Sequence, residues 1–445
     1  MKLNKVVVSK VTDYSINDIY ICLSDEIFST INSTDKVVIK PNWVRHSHLG
    51  REGDWDYVIT HPAVLTAVFL KVLDHVGPEG EIIICDAPET DADFKKLISY
   101  YPVDLWIRKA KEKNISFRII DLRDDEWKLK DGVIIERKKL SGDPKGSVEV
   151  NLFGENSEFF NHLKSERGYY GADFNLVETN QAHDGRNNKY RVSRTVIEAD
   201  VFINIPKLKT HKKGGITCCL KNLVGINTYK NYLPHHSEGS PGSHGDQFPK
   251  ENINSKIEGP LLAFMKQNIL QNTTMAKVFA PIKKIGRSVF GDTEKVIRSG
   301  NWFGNDTLWR MVLDLNKIMF YANSDGSMRS DERIQAKRFI GVVDGIIGGE
   351  GNGPLYPDSI KSGFLVVGTN PVAIDSVCAM LIGFDPEKIP SIKNAFQVCT
   401  YKICNFNPEN INISFKKAIY SLKNFPKEEI ISYKPHFGWI GHIES

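Results

Sequence analysis

The stretch ADVFINIPKLKTHKKGGITCCLKN, residues 199–222, decides how the chain is read. Its first part, ADVFINI, is a nearly continuous apolar run of strand length, the pattern of a strand covered on both faces. It runs straight into Lys207, Lys209, Lys212 and Lys213, with Thr210 and His211 among them, around the pair Gly214–Gly215. A lysine-rich loop is ordinarily a solvated one. This one abuts an apolar strand and continues into Cys218, Cys219 and Lys221.

Working outward, KVVVSKV reads as a first strand and KVVIKPNW (Lys36–Trp43) as a second. THPAVLTAVFLKVLDHVGPEG has apolar residues at helical spacing, a proline near its start and Gly77 after its end. EIIICDAP is again an apolar strand, and LWIRKAKEKN followed by ISFRIIDL repeats the helix–strand unit. Such alternation predicts an α/β fold: mainly parallel sheets with helices on both faces, in two Rossmann-like halves plus insertions. The expected divisions are an N-terminal α/β part over 1–125 and an inserted antiparallel flap or small subdomain over 126–195. A core strand and active-site loop fill 196–230, a polar and helical insertion 231–304, and a C-terminal α/β part 305–445. In the last part, Asn305–Ala322 reads as a helix capped by Asp306 or Thr307. RFIGVVDGIIGGEGNGP reads as a strand plus a Gly-rich loop, and GFLVVGTNPVAIDSVCAMLIGF as a strand and a Pro-started helix.

Bulk properties narrow the class. The 445 residues are 41% hydrophobic and 25% charged, an ordinary globular balance, and a net charge of +4 spread along the chain does not suggest nucleic acid. Seven cysteines, odd in number and without a CxxC pair, argue against a disulfide framework and against cysteine-held zinc or iron–sulfur clusters. The N-terminus has no apolar signal core, and no run reaches the roughly 18 apolar residues of a membrane span, so a cytoplasmic location is expected. The basic segment Met275–Gly291, with Lys283, Lys284 and Arg287, suits a solvated helix or a peripheral membrane contact.

Ligands of parallel α/β sheets bind at the carboxyl ends of strands. KPNW, CDAP, PKLKTH, DGIIGGEGNGP and GTNPVAID are each read as following a strand, which points to one composite site. Lys40, Lys207, Lys209 and Lys221 give it positive character, suited to phosphate or carboxylate as point charges. His211, before two glycines that let backbone approach a ligand, is the candidate acid or base. Asn42, Thr217, Asn222, Gly351 and Asn352 are placed as anion contacts. Asp86, Asp344, Glu350 and Asp375 read as acids able to hold a divalent metal or to move protons. His61 is a residue of the helix start or a ligand. His235, His236 and His244 share a loop with Glu238 and Asp246, a second metal-type set. Cys218 and Cys219 read as small buried residues at a helix start.

KPN, THPAVLTAVFLKVLDHVG, ADVFINIPKLKTHKKGGITCCLKNLVG, GNDTLWRMVLDLN, VVDGIIGGEGNGP and GTNPVAIDSVCAMLIG together resemble the DUF362 family. Many members join this domain to a ferredoxin-like module, but the CxxCxxCxxxCP run of such a module is absent here. A remoter resemblance links His211, Gly214, Gly215 and Lys221 to the lactate racemase family, whose lysine ten positions after a histidine anchors a nickel-pincer nucleotide. Cys218–Cys219–Leu220 departs from that pattern, so the nickel cofactor is not carried over.

The reading is an enzyme acting on a small or nucleotide-linked anionic substrate, a hydroxy acid or sugar derivative, by proton transfer or isomerisation. His211, Lys221 and Lys207 would be its catalytic groups. Its rivals are a redox protein served by a separate cofactor or ferredoxin partner, and a module binding a phosphorylated glycan or lipid head group. The geometry of His211 against Asp344 and Glu350 discriminates them: an enzyme needs all three at one cleft.

Overall fold

The computed structural model describes residues 4–130, 133–173, 175–250, 296–330 and 337–445. The basic segment around Lys283, Lys284 and Arg287 lies outside the described residues. Strands of the main sheet are β1 (Lys5–Lys10), β2 (Lys36–Pro41), β3 (Glu81–Asp86), β4 (Ser116–Asp121), β5 (Val201–Ile205) and β6 (Lys207–His211). They continue with β7 (Gly215–Thr217), β8 (Arg338–Asn352), β9 (Tyr356–Gly368), β10 (Asn412–Phe415) and β11 (Ala418–Tyr420). The principal helices are α1 (Pro62–Leu73), α2 (Val103–Glu112), the single turn α3 (Cys219–Asn222), α4 (Leu308–Tyr321) and α5 (Pro371–Leu381).

The strands form one 11-stranded mixed sheet in the order β11-β10-β1-β9-β8-β5-β2-β3-β4, with β6 pairing β7 and β8 off that path. β8, β5, β2, β3 and β4 are parallel, whereas β9 runs antiparallel to both β8 and β1. The α/β class is as expected, but the strands assigned to two Rossmann-like halves join in this single sheet. Successive residues of each central strand face opposite sides. Val38, Ile83, Phe202, Val343 and Val366 enter one core with α4 and α5. Val37, Ile39, Ile82, Ile84, Ile203 and Leu365 enter the other with α1 and α2. This two-sided burial is why the strands read as unbroken apolar runs.

Within 126–195 the chain makes antiparallel ribbons: Asp125–Lys130 with Val133–Lys139, and Ser147–Asn151 with Lys189–Ser193. Tyr169–Gly171 pairs with Pro234–Ser237, tying this insertion to the next one. No helix among the described residues is long and apolar enough to cross a membrane.

Three local expectations change. The lysine-rich "loop" is a β-hairpin, β6–β7, with Lys209 opposite Thr217 and His211 opposite Gly215, whose φ of +77° makes the turn. The Gly-rich segment after Val343 is not a loop either, because β8 continues through a register shift to Asn352. Finally, α4 is not capped by a side chain of Asp306 or Thr307. The Asp246 carboxylate accepts from the N–H groups of both (2.8 Å each), and Asn305 Oδ1 from Leu308 N (2.8 Å).

Candidate functional site

At the carboxyl ends of β2, β3 and β6 lies an open cavity of about 430 Å³. Lys40, Asn42, Asp86, Lys209, His211, Thr217, Lys221 and Asn222 all line it, so the strand-end rule brings these residues together. The insertions close its sides: Trp127 and Leu129 come from the first ribbon, Asp173 from beyond Gly171, and His235 and His236 from the strand paired with Tyr169–Gly171.

The floor is a buried polar lattice. Lys40 Nζ pairs with Asp86 Oδ1 at 2.8 Å and donates to Pro41 O and Asn222 Oδ1. Asp86 also accepts from the Trp43 and Ala87 amides. Asn222 accepts from Asn42 Nδ2 (2.9 Å) and donates to Asn204 Oδ1 (2.7 Å). Gly225 fits over this ion pair because it has no side chain: a Cβ there would lie 1.9 Å from Asp86 Oδ1. Asp86 is thus a lysine's partner and not a free metal ligand. Lys209 is fully buried and donates to Val58 O. Thr217 Oγ1 and Asn42 Oδ1 are buried without a hydrogen-bond partner among the described residues, and both belong to cavity-lining side chains. Buried polar atoms are rarely left so, and both face the space a ligand would fill.

Above the floor are groups with displaced proton affinities. Burial, with Lys230 and Lys40 nearby, pushes Lys221 down to about 8. Lys230, donating to Ala87 O at 2.7 Å, is lowered to about 8, chiefly by burial. Glu89 is raised to about 7 by burial and by Asp91. Asp173, accepting from Thr90 Oγ1, is raised to about 7 by burial and by Asp125. Acids and amines displaced toward neutrality in one cleft are the usual mark of proton-transfer sites.

The two histidines are held in opposite tautomers. His211 Nδ1 accepts from the amides of Lys213 (3.2 Å) and Gly214 (3.1 Å), so in the neutral ring Nε2 carries the proton. His235 Nδ1 donates to Leu233 O at 2.8 Å, so its Nε2 holds the lone pair. Burial, then the positive charges of Lys221 on His211 and Lys213 on His235, keep both rings well below the ordinary imidazole value.

The other expected residues go elsewhere. Lys207 and Asp344 form a fully buried pair (2.6 Å) under Tyr14 and His61. His61 caps α1, accepting from Ala63 N. Glu350 accepts from Lys434 N at 2.8 Å, with Lys434 Nζ 3.8 Å away. Gly351 and Asn352 pair with Pro357 and Tyr356 in the β8–β9 hairpin instead of facing an anion. Asp375 accepts from the amides of Cys219 (2.8 Å) and Leu220 (3.0 Å) and so anchors α3. The segment GTNPVAID follows β9, whose antiparallel course puts Gly368 beside Gly341, at the opposite end of the sheet from the cavity.

Asp86, Asp344, Glu350 and Asp375 therefore do not converge on a metal. Among the described residues the grouping of metal-type donors is Cys218, Cys219 and Asp375, all buried. The His-loop set also separates: His235 and His236 line the cavity, Glu238 pairs with Arg167, Asp246 caps α4, and His244 is exposed. Sequence reasoning missed Glu89, Asp173, Lys230 and the role of His235. Glu89 had a signal, as the next acid after the CDAP strand end.

No curated protein matches the chain. Among solved structures, a Thermotoga maritima protein is 10% identical with a TM-score of 0.33, over 83% of this chain and 59% of that one. The lactate racemase apoprotein from Thermoanaerobacterium thermosaccharolyticum is 12% identical with a TM-score of 0.32, over 84% of this chain and 57% of that one. This chain thus spans less than two thirds of either. Residues 162–380 match the family described as a domain of unknown function, DUF362, a span that includes the β6–β7 hairpin, Lys221 and His235. Through that segment, just under half of its length, with the cationic hairpin and α3, the chain is similar to the DUF362 family.

Proposed function

We infer that the protein is an enzyme of the cytoplasm that binds a small anionic substrate, a hydroxy or oxo acid or a sugar derivative, in this cavity. There it moves a proton on carbon, an isomerase- or epimerase-type reaction. The observation that carries the reading is the pair of histidines in complementary tautomers lining one cavity with Lys221, a lysine without a partner among the described residues. The lysines that line the cavity, Lys221 and Lys230 among them, attract the anionic substrate together, and Thr217 Oγ1 and the Asn42 side chain orient it. His235 Nε2 is available to remove a proton, while His211 Nε2–H donates to the oxygen on which negative charge develops. Glu89, near half protonation at neutral pH, exchanges protons with solvent or product. The discriminating pair has changed: Asp344 and Glu350 are spent on lysines, and Glu89 takes the acid's place. No step here is assigned to a metal, a nickel-pincer nucleotide or an iron–sulfur cluster.

The test is exchange of the carbon-bound α proton in D₂O, followed by proton NMR, over lactate, glycerate, pyruvate and glyceraldehyde 3-phosphate. The wild type is expected to exchange at least one of them, and His235→Gln to do so about 10²–10⁴-fold more slowly. Exchange of none, or equal rates in the variant, would remove the proton-transfer assignment.

A further inference from the structure

We propose that Lys221 is a Schiff-base nucleophile that captures the carbonyl group of an anionic oxo compound, an oxo acid or a sugar phosphate. This rests on the proton-transfer reading above and names the substrate class for it.

Lys221 differs from the cavity amines around it. Lys40 is paired to Asp86, Lys209 donates to Val58 O, Lys230 donates to Ala87 O, and Lys213 Nζ stands 3.1 Å from His236 Nδ1. Lys221 makes no hydrogen bond or ion pair among the described residues, yet it lines the cavity. Its backbone is fixed on both sides. Asp375 holds the amides of Cys219 and Leu220, and Asn222 is held by Asn42, Asn204 and Pro41 O. The amine is thus presented on a rigid turn without a hydrogen-bond or ion-pair partner among the described residues, and the carboxyl whose charge acts on it is Glu89. Neighbouring cations Lys230 and Lys40 favour its neutral form, as a nucleophilic amine requires. Glu89 is the complementary group, a carboxyl on the cavity wall whose side chain accepts no hydrogen bond among the described residues.

The chemistry balances without an oxidant. Neutral Nζ adds to the carbonyl carbon and passes a proton to the oxygen, giving a carbinolamine. Glu89, protonated, supplies the one further proton needed for the hydroxyl to leave as water, so that a C–N bond replaces the C–O bond. The resulting iminium withdraws electrons from the adjacent C–H, and His235 Nε2 takes that proton to leave a neutral enamine. Returning the proton to the same carbon on its other face gives the epimer, still as the iminium, and water then hydrolyses the imine and releases Lys221. An imine is the electron sink that a proton transfer on carbon needs, supplied by the chain's own side chain.

The experiment is reductive trapping with cyanoborohydride, using pyruvate and glyceraldehyde 3-phosphate in separate arms, followed by intact-mass and peptide mapping of the full chain. The expected result is a single reduced adduct mapping to Lys221 in at least one arm, absent from heat-unfolded protein and from Lys221→Arg. The arm that labels decides between oxo acid and sugar phosphate. Labelling scattered over exposed lysines, or none at Lys221 in either arm, overturns the proposal. Because the map is read on the wild type, the result stands even where the variant fails to fold. Proton exchange in D₂O without an adduct would sink the imine and keep the proton-transfer reading. Loss of both would sink the two together.

Discussion

Replacing Asp344 by alanine is expected to destabilise the folded chain by about 3–5 kcal/mol, the cost of leaving a buried charge without its partner. Lys207 and Asp344 are both completely buried, 2.6 Å apart. The Tyr14 hydroxyl donates to Asp344 (3.0 Å) and accepts from Lys207 Nζ (2.9 Å) and Ile347 N (3.1 Å). His61 N donates to the other carboxylate oxygen at 2.8 Å. Burial pushes the Lys207 amine down, and the nearby Asp344 charge opposes that shift. Removing the carboxylate strands Lys207 and two further donors, the Tyr14 hydroxyl and His61 N, at once. The double change Lys207→Met with Asp344→Leu should cost much less than Asp344→Ala, since it removes both charges together. Urea unfolding of the three variants measures this. Asp344→Ala with normal stability but lost activity would return this acid to the catalytic machinery.

Lys221→Met is expected to do the reverse: lose function and gain stability. Lys221 is held at about 8 against an ordinary 10.5, so at pH 7 its charge costs the folded state on the order of 2–3 kcal/mol. The sign follows from proton counting. Between pH 8 and 10.5 the unfolded chain binds a proton that the folded chain has released, so wild-type stability rises with pH across that window. Below pH 8 the cost is present in full, and above 10.5 it is gone. The advantage of Lys221→Met should therefore be largest at neutral pH and shrink toward pH 10.5. Chemical unfolding of the pair at pH 7 and pH 9.5 checks it. Equal stability at both values would mean that Lys221 is not held in a cation-rich, partly dehydrated place.

Much of the site is legible in the sequence because the physics of parallel sheets is local. An apolar run ending in Lys40, in Asp86 or in the lysine hairpin marks the end where a ligand can sit, and those ends do meet. Strand direction is not local. β9 reads like its neighbours but runs antiparallel, so Asp375 is carried away from the cavity to anchor α3. Nor does a glycine-rich segment announce whether it is a loop: Asp344 lies opposite Leu365, inside a strand that continues past it through a register shift. Asp173 and His235 reach the cavity by the pairing of Tyr169–Gly171 with Pro234–Ser237, a contact across some sixty residues that no periodicity encodes. His211 was found from its setting between lysines and glycines. Its tautomer follows only from the amides of Lys213 and Gly214.

The central claim, that the cavity around Lys221 receives an anion, is tested most directly by calorimetric titration of the wild type, Lys221→Gln and Lys434→Gln with oxalate at pH 7. The predicted result is one saturable site in the wild type, weakened about tenfold or more in Lys221→Gln, as expected for loss of a charged hydrogen bond. Lys434→Gln, altering the lysine beside Glu350, should bind as the wild type does. Undiminished binding in Lys221→Gln would contradict the account, and a loss confined to Lys434→Gln would place the anion at Glu350's end of the β8–β9 hairpin instead.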